Sequence, residues 1–218
     1  MVQANPFESI YIATGNQGKL KEFENIFSQS NNPWPVNFSQ VHGRAARDAE
    51  ETASTFVGNA KIKSFALAKE LMAEKEDNFW VISDDSGLEV ENLNGEPGVF
   101  SARYAGENSN SLENMNKLVR ELEKIPEKGP HKARYVCALS LLKVSGAGIS
   151  AEFESEGYCS GEIRLEAKGD SGFGYDPIFY LPEMDLHMAE LSDDKKNEIS
   201  HRHFAIEDLK KKLKESVS

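Results

Sequence analysis

The chain reads as an α/β protein, and three stretches carry that reading. Ser9–Thr14 (SIYIAT) alternates, is β-rich, and passes through a glycine loop into Leu20–Ser28, whose apolar residues Leu20, Phe23, Ile26 and Phe27 fit a helix. Phe56–Lys75 repeats Val57, Ala60, Ser64, Leu67 and Leu71 at three- and four-residue steps, a long helix, and leads to the aromatic, β-branched strand Phe79–Ser83. Lys132–Val144 and Ile149–Ser160 are long β-rich runs joined by Ser145-Gly146-Ala147-Gly148. They predict a hairpin with a four-residue loop, in a sheet that extends beyond one layer of helices.

Each element carries its own signals. The first loop is Gly15-Asn16-Gln17-Gly18-Lys19. A strand, glycine loop and helix in that order can aim backbone N–H groups and a helix N-terminus at a phosphate, though the P-loop spacing is absent. A plain βα turn with a solvated Lys19 fits the same residues. Asn31–Pro35 reads as a loop and Val36–Val41 as a possible second strand; Gly43–Ala53 is polar and carries Glu50 and Glu51. Thr55 or Ser54 can cap the long helix. On it Asn59 and Lys63, four apart, share one face that is either functional or solvated.

Phe79–Ser83 runs into Asp84-Asp85-Ser86-Gly87, which reads as a tight turn. Two acids at the mouth of an apolar strand bear desolvation and mutual repulsion unless a cation sits there. A divalent metal such as Mg²⁺ takes carboxylate oxygens and keeps several waters. A solvated Asx turn is the alternative. Leu88–Val90 reads as a short strand, Asn94–Gly98 as a turn, and Ser101–Gly106 as exposed loop. Leu112, Met115, Leu118, Val119, Leu122 and Ile125 form one stripe of a helix that Pro126 and Gly129-Pro130 end.

Gly169–Pro177 (GDSGFGYDP) is a second glycine loop, with Phe173 and Tyr175 at its tip. An aromatic ring on such a hinge can stack on a nucleobase or staple the next strand, Ile178–Leu181. Ser192 can cap a short helix with Asp193 and Asp194 in its first turn. Ser200-His201-Arg202-His203 leads into a last helix, Phe204–Glu215, with Phe204, Ile206, Leu209 and Leu213 apolar.

The 218 residues are enough for one well-buried core, and without repeats, linkers or composition shifts they read as one domain with a cleft. A net charge of −11 excludes duplex binding through a broad basic face. MVQANPFES has no signal-peptide pattern, and the most apolar window, Tyr135–Val144, is too short to span a bilayer. Cys137 and Cys159 predict two buried free thiols in a reducing cytosol. Two glycine loops, a carboxylate pair, a Glu pair, scattered lysines and an SHR tripeptide together fit metal-assisted attack on a phosphoanhydride.

Six segments in order carry a resemblance: TGNQGK (14–19), AEET (49–52), SDDSGLEV (83–90), GEPGVFSARYAGE (95–107), GFGYDPIF (172–179) and AELSDDKKNEISHR (189–202). Together they resemble the inosine triphosphate pyrophosphatase family, also called dITP/XTP pyrophosphatases. The resemblance implies an elongated mixed sheet flanked by helices, two lobes around a nucleotide-binding cleft, and a Mg²⁺-dependent homodimer. It implies hydrolysis of ITP, dITP and XTP to the monophosphate and pyrophosphate. By motif, Thr14, Gly15, Asn16, Gln17, Gly18 and Lys19 would hold the triphosphate with Lys63. Asp85 would accept a proton and bind metal, Glu50 or Glu51 would complete the metal site, and Ser86 would lie beside substrate. Phe173 would stack on the purine, flanked by Gly174, Tyr175 and Asp176. Lys196, five residues before His201, matches the family's lysine, and His201 and Arg202 would read the base edge.

Hypoxanthine and xanthine present an acceptor at position 6 where adenine presents a donor, so buried donors there reject ATP. Two departures, His203 where glycine is common and Leu186-His187 before Met188, bear on selectivity. The alternatives are a Maf-type pyrophosphatase acting on pyrimidine or modified nucleotides, and a nucleotide sensor without catalysis.

Overall fold

The computed structural model describes residues 9–28, 41–44, 49–74, 78–126 and 129–216. Among them, in chain order, are β1 (Ser9–Ala13), α1 (Gln17–Ser28), β2 (Val41–Arg44), α2 (Phe56–Glu74), β3 (Phe79–Val90), α3 (Ser111–Glu123), β4 (His131–Ser145), β5 (Gly148–Ile163), β6 (Phe179–Leu181), β7 (Leu186–His187), α4 (Asp193–Ile199) and α5 (His201–Ser216). The strands hydrogen-bond in the order β2-β1-β3-β4-β5-β6-β7. β1 runs parallel to β2 and β3, whereas β6 is antiparallel to β5 and β7, so the sheet is mixed. This is the α/β class expected.

The chain divides into two compact units. The first comprises Met1–Asp85, Ala138–Glu156 and Ala205–Ser218. Its core joins Tyr11 and Ala13 of β1, Phe79 and Val81 of β3, and Leu142 and Val144 of β4 to Leu67, Ala68 and Leu71 of α2. The three- and four-residue spacing of the α2 residues is what turns one helix face onto the sheet. Ser64, on the same face, keeps its buried hydroxyl satisfied by Ser140 Oγ at 2.8 Å.

The second unit comprises Ser86–Cys137 and Gly157–Phe204. Leu88, Tyr104, Leu118, Leu122, Tyr135 and Phe179 are among its core residues. Helix α3 begins with a capping box: Asn110 Oδ1 accepts from Glu113 N at 3.0 Å, and Asn110 N donates to Glu113 Oε2 at 2.8 Å. Leu118 and Leu122 fill the core, but Leu112, expected in the same stripe, is 59% exposed. It sits in the first turn, outside the stretch that faces the core. Cys137 and Cys159 are buried free thiols, as expected; burial and then Asp176 push the Cys159 thiol up to about 11.

Other expectations change. Ser101–Gly106 is not an exposed loop: a 3-10 helix covers Gly98–Arg103, and Ser101 and Tyr104 are buried. Tyr104 supplies an apolar ring, and Ser101 Oγ accepts from Leu88 N at 2.9 Å, so both have reason to face inward. The hairpin turn is shorter than expected, because the strands extend through Ser145 and Gly148 and leave only Gly146-Ala147 between them. The Asn31–Pro35 loop, residues 36–40 of the possible strand, Lys75, and the side chains of Ile26 and Phe27 lie outside the described residues; a strand is present from Val41. Ser192 caps α4 by accepting from Lys195 N at 3.3 Å, with Asp193 and Asp194 in the first turn.

The register of α3 is testable. Leu122→Ala is expected to cost about 2–5 kcal/mol of unfolding free energy, and Leu112→Ala no more than ~0.5 kcal/mol. Urea denaturation of both variants measures the difference, and equal losses would show that α3 is rotated.

Candidate active site

The acidic pair does not lie on a turn. Ser83, Asp84, Asp85 and Ser86 continue the strand β3 without a break, and the first three are buried. The polarity that reads as a turn is instead absorbed by partners. Ser83 Oγ donates to Ala60 O at 2.5 Å. Successive strand side chains point to opposite faces, so Asp84 and Asp85 diverge. Asp84 meets Lys19 of α1 at 2.9 Å, and Asp85 meets Lys63 of α2 at 3.2 Å. Ala13 at the end of β1 lies opposite Ser83, which sets both acids at the carboxyl end of a parallel strand pair, where open α/β sheets bind ligands.

Lys63 carries a polar cluster in the first unit. Its Nζ stands 3.0 Å from Glu51 Oε1 and 3.2 Å from Asp85 Oδ1. Asp85 Oδ2 accepts from Asn59 Nδ2 at 3.1 Å, while Asn59 Oδ1 accepts from Ala53 N at 2.9 Å. Asn59 therefore fixes the carboxylate and also anchors the segment that bears Glu51. Burial raises the Asp85 carboxyl above its ordinary range, Lys63 opposes that, and Glu51 adds to it. Burial works against the Lys63 ammonium, but Asp84, Asp85 and Glu51 outweigh it and hold its pKa above the ordinary value. Glu50 is exposed, and Glu51 is the one of the pair that reaches this cluster.

Two carboxylate oxygens from separate segments thus converge on one positive charge. That is the donor chemistry of a hard cation such as Mg²⁺, which takes few protein ligands and completes its shell with water and phosphate. Among the described residues no group of three or more His, Cys, Asp or Glu side chains is gathered for a metal. Glu51 and Asp85 fit the smaller set.

The first glycine loop is organised by its own side chains. Thr14 Oγ1 accepts from Asn16 N at 3.1 Å, and Asn16 Oδ1 accepts from Gly18 N at 2.9 Å and Lys19 N at 3.2 Å. Asn16 so caps α1, its side chain holding the Gly18 and Lys19 amides. Gly15, Asn16 and Gln17 are exposed, and the charge the loop presents is the Lys19 ammonium.

In the second unit the organiser is Asp176. Its Oδ2 accepts from Phe173 N at 2.9 Å and from Lys196 Nζ at 2.8 Å, and its Oδ1 accepts from Tyr135 Oη at 3.0 Å. Gly172 has φ +80°, and a Cβ there would run into Asp176 Oδ2, so this turn requires glycine. Gly174, at φ +65°, makes the second left-handed bend. Phe173 is 42% exposed, with Lys196 Nζ 4.5 Å from its ring centroid. Tyr175, expected beside it at the tip, is buried, and its hydroxyl donates to Ser101 O at 2.8 Å. It is an anchor whose apolar ring packs in the core while its hydroxyl finds a carbonyl.

His201 and Arg202 open α5 and are both buried. The His201 imidazole stacks on Tyr135 at 5.0 Å and 17°, and Arg202 Nη2 donates to Ser86 Oγ at 3.3 Å. His203 packs edge-on against Phe204 at 5.6 Å. His187 is buried and donates from Nδ1 to Pro177 O at 2.7 Å, which ties down the exit of the second glycine loop. Sequence reasoning left Asn59 on a face either functional or solvated, and did not offer Tyr135 as a site residue. The four-residue spacing from Lys63 was the signal for Asn59; Tyr135, inside an apolar run, gave none.

The chain matches the model of the Ham1 family over residues 10–212. A dITP/XTP pyrophosphatase of Halalkalibacterium halodurans is 44% identical over 202 residues, covering 93% of this chain and 97% of that protein. One from Staphylococcus epidermidis is 45% identical over 206 residues, covering 94% and 96%. The solved structure of a HAM1 protein from Coxiella burnetii aligns with a TM-score of 0.78 at 35% identity, covering 96% of this chain and 100% of that one. The Staphylococcus aureus Ham1 protein aligns at 0.74 with 40% identity and the same coverage.

The raised Asp85 carboxyl fixes the sign of a pH effect. Its ionised form is disfavoured, so folding bears a cost above the folded-state pKa that is fully lost below the unfolded value. With EDTA present, the difference in unfolding free energy between wild type and Asp85→Asn should move toward wild type as pH falls through the folded-state pKa. Movement the other way would place that carboxyl below the ordinary range.

Proposed function

The chain belongs to the Ham1 family, and on that premise we propose that it hydrolyses ITP, dITP and XTP to the nucleoside monophosphate and pyrophosphate. The observation that carries this reading is the convergence of Glu51 and Asp85 on Lys63, beside the Lys19–Asp84 pair. Basic groups for a polyphosphate and a carboxylate of raised basicity stand together there. Asp85 takes the proton of the attacking water as the water oxygen bonds to the α-phosphorus. The bond from that phosphorus to its bridging oxygen breaks, and pyrophosphate leaves with the oxygen. Lys63 and Lys19 hold phosphate oxygens, exchanging carboxylate partners for substrate, and Thr14 to Gly18 shape the loop around them. Mg²⁺, held by Glu51 and Asp85, would neutralise phosphate charge.

The base end belongs to the second unit. Phe173 offers an exposed ring for stacking, with Gly172 and Gly174 setting its loop and Asp176 and Lys196 fixing it. Tyr175 secures the loop from below. His201 and Arg202 donate toward the acceptor at position 6, and Ser86 orients the guanidinium. The chain acts as a single pyrophosphatase domain over residues 1–218. The protein works as a homodimer in the cytoplasm, where its two free thiols stay reduced. The acidic net charge supports a small-molecule substrate over nucleic acid. No helix among the described residues is long and apolar enough to cross a membrane.

Pyrophosphate release at alkaline pH with Mg²⁺, measured for ITP, XTP, dITP, ATP, GTP and dTTP, tests the reading. Strong preference for the deaminated purines is expected, with loss of turnover on EDTA addition and recovery with Mg²⁺. Asp85→Asn should lower kcat by roughly 10²–10⁴. Preference for dTTP, or release by Asp85→Asn at the wild-type rate, would overturn it. For Phe173→Ala, removal of one stacking contact worth ~1–3 kcal/mol should raise the KM for ITP by roughly 5- to 150-fold. An unchanged KM with a collapsed melting temperature would instead make Phe173 a structural residue.

A further inference from the structure

Tyr135 connects two groups that the proposed reaction uses for different purposes. It lies in β4, is buried, and packs at 4.5 Å against Phe179. One face of its ring carries the His201 imidazole, 5.0 Å away and within 17° of parallel. Its hydroxyl donates to Asp176 Oδ1 at 3.0 Å. The other oxygen of Asp176 holds the Phe173 amide and the Lys196 ammonium, which stands 4.5 Å from the Phe173 ring centroid. A single side chain thus touches the imidazole offered for reading the base edge and, through Asp176, reaches the ring offered for stacking.

Filling this space requires only a ring. Burying a hydroxyl costs free energy unless it is bonded, and this one is spent on the carboxylate that sets the Phe173 loop. With the hydroxyl gone, Asp176 keeps two donors on one oxygen and loses the bond that fixes its other. Rotation of that carboxylate would carry the Phe173 amide and Lys196 with it.

We infer that Tyr135 is a positioning residue for base selection, holding the His201 ring plane and the Phe173–Asp176 loop in one fixed relation. The inference rests on the proposed ITP/XTP pyrophosphatase reading. Hydrogen bonds weaken steeply off their preferred angle, so the base stacked on Phe173 must keep a fixed place relative to the donor that reads position 6. Loosening it harms ITP more than ATP, which has no such bond to lose. The signature is lost discrimination.

The test is Tyr135→Phe, which keeps the ring and its packing, with kinetics of pyrophosphate release from ITP and ATP and a thermal melt. KM for ITP should rise about tenfold with kcat within about twofold, and the ITP-to-ATP ratio of kcat/KM should fall about tenfold, the weight of one hydrogen bond to a charged group. If the hydroxyl acts through Asp176, adding Tyr135→Phe to Asp176→Asn should change that ratio no further. Equal losses for ITP and ATP, additive effects, or a lowered melting temperature with unchanged kinetic constants would leave Tyr135 a core residue and overturn the inference. Wild-type protein measured first separates the two levels: no preference for ITP there fails the functional reading and the inference with it.

Discussion

A carboxylate buried in a strand needs compensation from its neighbours, and Asp85 obtains it from one helix. Asn59 and Lys63 lie four residues apart on α2, hence on one face, and each takes one oxygen of the carboxylate. The core packing of Leu67, Ala68 and Leu71 fixes the rotation of that helix against the sheet. Apolar packing and site geometry are therefore one constraint: a turned α2 would expose leucines and strip Asp85 of both partners together. Lys63 extends the arrangement to Glu51, and the side-chain oxygen of Asn59 accepts from the backbone of that same segment at Ala53 N.

The compensation is incomplete. Desolvation outweighs the neighbouring ammonium and leaves the Asp85 carboxyl more basic than an exposed aspartate. Asp84, next in the strand, faces the other way and has its own lysine. Adjacent acids that would repel on a turn are separated by the pleat, each with a cation that a polyphosphate could draw away.

Asp176 has the corresponding place in the second unit. Three donors from three segments converge on its two oxygens, and a glycine at residue 172 leaves room for the carboxylate. The exposed ring of Phe173 owes its position to this buried charge. Tyr175 and His187 tie the same loop to Ser101 and Pro177.

Periodicity and motif order made the α/β class, the long helix α2, the cap at Ser192 and the family legible from residues alone, because these depend on neighbours within a few positions. The exposed Leu112, the buried Tyr175 and the continuation of β3 through Asp84 and Asp85 were not, since burial depends on what packs from distant segments. Polar residues resemble a turn until a serine, two lysines and an asparagine are seen to have partners inside. Glu50 and Glu51 are equivalent as letters; only the fold brings Glu51 to Lys63. Sequence by itself determined which chemical groups this protein owns and the order in which it presents them. Tertiary structure alone decided which of them meet, because desolvation, pairing and ring stacking act over a few ångströms between residues as far apart as Tyr135 and His201.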